Sequence, residues 1–365
     1  MEQFFGANSP FNAGNNYAAQ AMLGNDTLFR DKAFSYYKQH YQQEQRPNDV
    51  ARLALFQDLY AYQDARALQL HTENKEELPR NAMITAQSFA DTCQHVCDIL
   101  EKHAALNSAA QAALAHVSWE TLIAALLDDV QHLLQEEHIL HDGAAADDSY
   151  ADNAPADNAP AVYMNVIVAQ DDTKYRISPA HFLELLMYAA QENAAADGKQ
   201  APTSENFVPE SALPTLAVIC ACALRAHLLL PAKNAAQEYT NSVDKSADSP
   251  LACPVCGYRE TLSWVGEFTA HHGNERVKYC PLCATQWAFE RIRCGRCGTK
   301  NQGHFHYTNE EHDNSHRILI CDECHSYERV VFQEHLQSPA FSIEVEDVVM
   351  APLDALAQSV LSQRA

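Results

Sequence analysis

Eight of the twelve cysteines form four C-x-x-C pairs: Cys253 with Cys256, Cys280 with Cys283, Cys294 with Cys297, and Cys321 with Cys324. A tight C-x-x-C turn aims two soft thiolates at one ion, and two such turns complete a tetrahedron around zinc or rubredoxin-type iron. The frame C-x2-C-x23-C-x2-C occurs twice, with every cysteine displaced by 41 residues between copies. That is an internal repeat, and two four-cysteine metal sites are the expectation. A duplicated module should close on itself. The first site is then Cys253, Cys256, Cys280 and Cys283, and the second is Cys294, Cys297, Cys321 and Cys324. A crossed pairing, first knuckle with third, is the alternative that spacing leaves open. Four thiolates close the coordination shell, so hydrolysis at either ion is not expected. The residue after the second cysteine of a knuckle often needs a backbone angle that suits glycine. Gly257 and Gly298 hold that place, whereas Ala284 and His325 stand there in the other two knuckles.

Other candidate ligands read better as packing. Cys93 and Cys97 lie at i,i+4 on an apolar helical stripe with His95 between them, and Cys220 and Cys222 lie in the most apolar helix; buried thiols of this kind usually serve a core. His304, His306, His312 and His316 fall among the cysteines, but the thiolates already fill both shells. No phosphate-binding glycine loop, G-x-S-x-G or HExxH occurs. No catalytic residue and no enzyme activity are expected.

The elements that position these residues follow from periodicity. Residues 1–25, rich in Asn, Ala and Gly, predict a disordered start. Helical patterns fill a domain over 26–247, notably at 50–70, 84–106, 108–140, 177–196 and 213–233. Ser178 with Pro179 reads as a helix start, 108–140 as one helix or as two with the second starting at Ser118, and 234–250 as a linker. Residues 142–161 carry ADNAP twice and read as a low-complexity insertion. Aromatic and β-branched residues between the knuckles predict short strands, in metal modules at 248–290 and 291–337. The stretch 338–365 should supply one last helix, from Val348 to Gln363, packing back on the body. The fold class is a mainly α-helical body followed by two small tandem rubredoxin-like or zinc-ribbon-like β modules.

Charge narrows the function. The formal net charge is −23, while 251–337 holds nine Lys/Arg and eleven Asp/Glu. Such a surface repels nucleic acid and anionic lipid, and the cysteine segment is its least acidic part. The apolar run from Leu213 to Leu230 is broken by Arg225 and His227, which predicts a buried helix rather than stable membrane insertion. The first residues lack a basic n-region and an apolar run, which predicts no secretory signal and a cytoplasmic chain with reduced thiols.

The stretch CPLCATQWAFERIRCGRCG (280–298) resembles the C-x-x-C-x-x-x-W-x-x-x-R-x-x-C-x-x-C core of the FdhE family of formate dehydrogenase accessory proteins. CPVCG (253–257) resembles that family's opening knuckle and CDECHSYER (321–329) its last. In the last, His325 replaces the usual Gly and Arg329 the usual Lys, while Tyr327 is in place. The resemblance implies a cytoplasmic maturation factor for respiratory formate dehydrogenase that binds the molybdenum-bearing catalytic subunit before export. It also implies two rubredoxin-like tetrathiolate ions, iron or zinc with iron slightly preferred. Trp287, Arg291, Arg293 and Tyr327 are then candidates for support or partner contact. The alternatives are an electron-transfer or redox-sensing protein and, less favoured by charge, a zinc-ribbon nucleic-acid binder.

Overall fold

The computed structural model describes residues 15–74, 80–115, 117–136, 164–170, 173–196, 208–242, 248–259, 262–266 and 275–364. The expected insertion at 142–161 and residues 1–14 of the expected disordered start lie outside them.

Two long helices open the chain, α1 (Asn15–Gln43) and α2 (Pro47–Asn74). Helix α1 therefore begins inside the stretch whose composition predicts disorder. Strand β1 (Ala82–Thr85) follows, and α3 (Ala86–Lys102) starts where it ends. Thr85 makes that switch: the Ser88 amide donates to Thr85 Oγ1 at 3.2 Å, and the Thr85 amide donates to Ser88 Oγ at 3.3 Å. This reciprocal capping satisfies two amides with no intrahelical partner. The face of α3 that the periodicity marks out, Phe89, Cys93, Val96, Cys97 and Leu100, is buried. Helices α4 (Ser108–Leu114) and α5 (Trp119–Glu136) are separate, with the Thr121 amide donating to Ser118 Oγ at 3.4 Å.

Strands β2 (Val166–Gln170) and β3 (Thr173–Ile177) join β1 in a sheet of order β1-β2-β3, parallel then antiparallel. The body is thus mainly but not wholly helical. Ser178 caps α6 (Pro179–Ala196), accepting from the His181 amide at 3.3 Å. Helix α7 (Leu213–Ser242) runs through the core and nine residues beyond the helix predicted at 213–233, into the expected linker, because Ala235 and Tyr239 are buried there. With its leading turn, α7 is long and apolar enough to cross a membrane by composition, and 61% of its apolar window is buried inside the fold.

The cysteine region forms one six-stranded sheet of order β6-β5-β4-β9-β8-β7. The first module supplies β4 (Leu262–Gly266), β5 (Glu275–Tyr279) and β6 (Gln286–Phe289) as an antiparallel meander. The second supplies β7 (Phe305–Thr308), β8 (His316–Cys321) and β9 (Ser326–Phe332) in the same way. A parallel pairing of β4 with β9 fuses the two meanders.

Instead of one terminal helix there are two, α8 (Ile343–Met350) and α9 (Leu353–Arg364). Pro352 lies between them and has no amide hydrogen to continue the ladder of α8. Ile343 and Met350 of α8 pack on the sheet with Leu353 and Ala357 of α9. Val345, Val348 and Val349 of α8 pack on α1 and α2. Between these apolar faces, Glu344 pairs with Arg30 of α1 and Arg225 of α7, and fully buried Glu346 accepts from Tyr37 and His316. Buried charges persist only when paired in this way.

Candidate metal centres

Each knuckle is a tight turn closed by its own backbone. The Gly257 amide donates to Cys253 O at 2.9 Å, Ala284 to Cys280 O at 2.8 Å, and Gly298 to Cys294 O at 3.1 Å. The residue after the second cysteine has φ of 78° at Gly257, 61° at Ala284, 79° at Gly298 and 53° at His325. All four knuckles therefore share one turn, and the two residues with a Cβ bear left-handed strain.

The sulfurs gather within modules. Cys253, Cys256, Cys280 and Cys283 have all their Sγ atoms within 4.8 Å of one another, and so do Cys294, Cys297, Cys321 and Cys324. Facing pairs stand at 3.6 Å (Cys253 with Cys283) and 3.5 Å (Cys256 with Cys280). In the second cluster they stand at 3.7 Å (Cys294 with Cys324) and 3.9 Å (Cys297 with Cys321). A tetrahedron with metal–sulfur bonds of about 2.3 Å has edges of about 3.8 Å, whereas a disulfide needs about 2.05 Å. Each cluster thus has the donor number, donor type and span to hold one tetrathiolate ion.

Burial drives the Cys256 and Cys280 thiols well above the ordinary cysteine value. Four thiolates crowded there need a cation to ionise together. Burial also opposes ionisation of Cys283 and Cys324, but hydrogen bonds from neighbouring thiols and from Thr285 or Ser326 outweigh it and bring both below that value. Thr285 Oγ1 lies 3.1 Å from Cys283 Sγ, and Ser326 Oγ lies 2.9 Å from Cys324 Sγ. These hydroxyls are 41 residues apart, at matching places in the repeat, and a hydroxyl donated to a bound thiolate tunes its charge. Their spacing was a readable signal that attention to cysteine alone passes over.

The clusters differ in setting. All four cysteines of the first are buried within the main core, beside Val255, Leu282 and Trp287. The body grips this site directly: the Met164 amide donates to Val255 O at 3.1 Å, the Ala180 amide to Cys256 O at 3.1 Å, and Arg225 Nη1 to Pro281 O at 2.8 Å. In the second cluster Cys294 and Cys321 are buried, Cys324 is half-buried and Cys297 is exposed.

A buried polar tie links the two. Lys278 on β5 donates to Leu251 O at 2.9 Å, just before the first knuckle, and to Gly295 O at 3.0 Å inside the third. Burial pushes its ammonium down to about 8. Beside it, Arg276 donates to Arg293 O at 2.8 Å and pairs with buried Glu328 of β9, which also accepts from Ser263. Charged residues inside predicted strands gave no hint of this cluster.

Of the proposed contact residues, Trp287 is buried, with Nε1 donating to Pro250 O at 3.1 Å. Arg293 is buried and donates to Ser249 O at 2.6 Å and Gly298 O at 3.3 Å, a second tie between the first and third knuckles. Tyr327 is half-buried against the sheet core, and Arg291 is exposed. Cys93, Cys97 and Cys220 sit in the apolar core, and among the described residues they belong to neither metal-competent group. His304 and His306 pair with Glu323 and Asp322 at the surface.

No family model matches the chain. It is 32% identical over 116 residues to a protein FdhE homolog of Rhizobium meliloti, covering 31% of this chain and 36% of that relative. It is 30% identical over 104 residues to protein FdhE of Escherichia coli, covering 28% and 32%. A crystal structure of the FdhE protein from Pseudomonas aeruginosa aligns over 91% of this chain and 90% of that one, with TM-score 0.34 and 15% identity. The chain spans about a third of the length of the curated relatives it matches. By these sequence matches about a third of the chain is similar to proteins of the FdhE family.

Proposed function

We propose that this protein is a non-catalytic accessory factor in the maturation of a respiratory formate dehydrogenase, binding the catalytic subunit in the cytoplasm before export. The observation that carries the reading is the pair of four-thiol clusters in one fused sheet, in a chain that is 32% identical over 116 residues to an FdhE homolog. Each cluster uses all its donors on one ion and leaves no position for substrate, which suits a rigid docking module better than an active site. Iron or zinc would be held by Cys253, Cys256, Cys280 and Cys283, and by Cys294, Cys297, Cys321 and Cys324. The bound ion supplies cross-linking and, if iron, a one-electron couple. Arg291, exposed at the join between the modules, and half-buried Tyr327 are the contact candidates left once Trp287 and Arg293 are assigned to support.

Affinity capture of the tagged chain from formate-grown, oxygen-free cells tests this. Recovery of a molybdenum-dependent formate dehydrogenase catalytic subunit, lost with Cys321→Ser, is expected. Recovery of RNA or a redox chain instead would overturn it. Electron transfer is the second reading, favoured by one observation: the exposure of Cys297 brings the second site within reach of a redox partner.

A further inference from the structure

We propose that the two metal sites have different tasks: the first is a fixed staple, and the second is an exchangeable site that opens at Cys297 and Cys324. The proposal rests on the reading that each cluster holds one ion.

Equivalent spacing gives no reason for the sites to differ, but their surroundings do. The first site lies inside the main apolar core, with all four cysteines no more than 1% exposed. Three separate pieces of the body hold its knuckles, through Val255 O, Cys256 O and Pro281 O. An incoming ligand can reach that ion only after the joint between body and modules opens, which is a sub-global event.

Among the described residues, the second site is held by ties to the modules alone, with Arg293 reaching Gly298 O behind Cys297 at 3.3 Å. Lys278 fixes Gly295, the following residue of Cys294, and β8 carries Cys321 into the sheet. Of the other two cysteines, Cys297 is exposed and Cys324 is half-buried. Exchange there needs no unfolding. Cys297 would be the thiolate that an incoming donor ligand displaces from a bound ion, the new metal–ligand bond replacing the one to its Sγ. The released thiolate takes a proton from water, and no electron moves. Acidic residues stand here as well: Asp322 and Glu323 occupy the last knuckle between Cys321 and Cys324, paired with His306 and His304. They lower the cost of bringing a cation to the site.

The test uses the full chain loaded with zinc. Elemental analysis comes first and should give two ions per chain, one for each cluster; fewer overturns the metal reading beneath the proposal. Excess chelator is then added with N-ethylmaleimide, following zinc by a colorimetric dye and modified cysteines by mass spectrometry. One ion should leave about tenfold or more faster than the other, as local opening outpaces sub-global opening. Cys297 and Cys324 should label in that fast phase while Cys253, Cys256, Cys280 and Cys283 stay protected. The variant Cys297→Ser should speed only the fast phase. Two ions leaving at one rate, or labelling that begins in the first cluster, would overturn the division of tasks and leave the metal reading intact.

Discussion

Substituting Gly295 by alanine separates two accounts of why that residue is glycine. Were it merely flexible, alanine would stabilise the chain by about 0.4–1 kcal/mol through the unfolded state. Its backbone allows this, since among the described glycines only Gly257 and Gly298 have positive φ. The knuckle turn does not demand glycine either, because the matching place in the first knuckle is Pro254. The neighbours decide otherwise. A Cβ on Gly295 would stand 2.2 Å from Glu328 Oε2 and 3.0 Å from Lys278 Nζ. Glu328 cannot swing away freely, since it balances Arg276 and accepts from Ser263 in a buried setting. A shift that keeps the pair costs about 1–3 kcal/mol in overpacking, and one that breaks it costs about 3–5 kcal/mol. We therefore expect Gly295→Ala to destabilise by about 3 kcal/mol, with the second cluster losing its ion first because Lys278 and Gly295 O tie it to the first. Urea unfolding of the metal-loaded protein measures this. Gly303→Ala is the control: its Cβ would meet only Asn301 Oδ1 at 3.5 Å, an ordinary contact, and the change should stay within about 0.5 kcal/mol. A Gly295→Ala protein as stable as its parent, or more stable, would refute the close-approach argument.

Two further outcomes are expected. Burial works against the charge on His316, but hydrogen bonds to Asp313 and Glu346 outweigh it and hold its pKa up at about 9. A raised histidine stabilises the fold fully below its unfolded pKa of about 6.5, and that stability fades as pH rises towards 9, by about 3 kcal/mol in total. Urea midpoints should fall over that window, and Glu346→Gln should flatten the fall; an unchanged slope would show that the His316–Glu346 contact does not set the pH dependence. His325→Gly should stabilise by about 0.5–1 kcal/mol by relieving the left-handed backbone of the last knuckle, and a loss of stability in the same unfolding assay would show that its side chain matters more.

The four-cysteine clusters were legible because a tetrathiolate frame writes itself as short, repeated spacing. Their closure within modules, rather than crossed, is a geometric fact that spacing left open. Helix α3 was legible as well, since a stripe such as Phe89, Cys93, Val96, Cys97 and Leu100 has one period. The fused sheet was not. Its join pairs Leu262 with Arg329, and a parallel contact between strands so distant in sequence leaves no local trace. Strand β1 hid because four residues ending in a helix cap are too few to show alternation. The extension of α7 hid behind polar residues whose burial at Ala235 and Tyr239 comes from tertiary packing. The buried set of Arg276, Lys278 and Glu328 hid for a related reason: charged residues in a strand read as solvated until their partners are known.

The most direct test of the account is the metal content of anaerobically purified protein. Two ions of iron and zinc combined are expected per chain, falling to one in Cys280→Ser and to one in Cys321→Ser, with thiolate-only coordination by X-ray absorption. A metal-free yet folded chain, or a single cysteine change that removes neither ion, would contradict it.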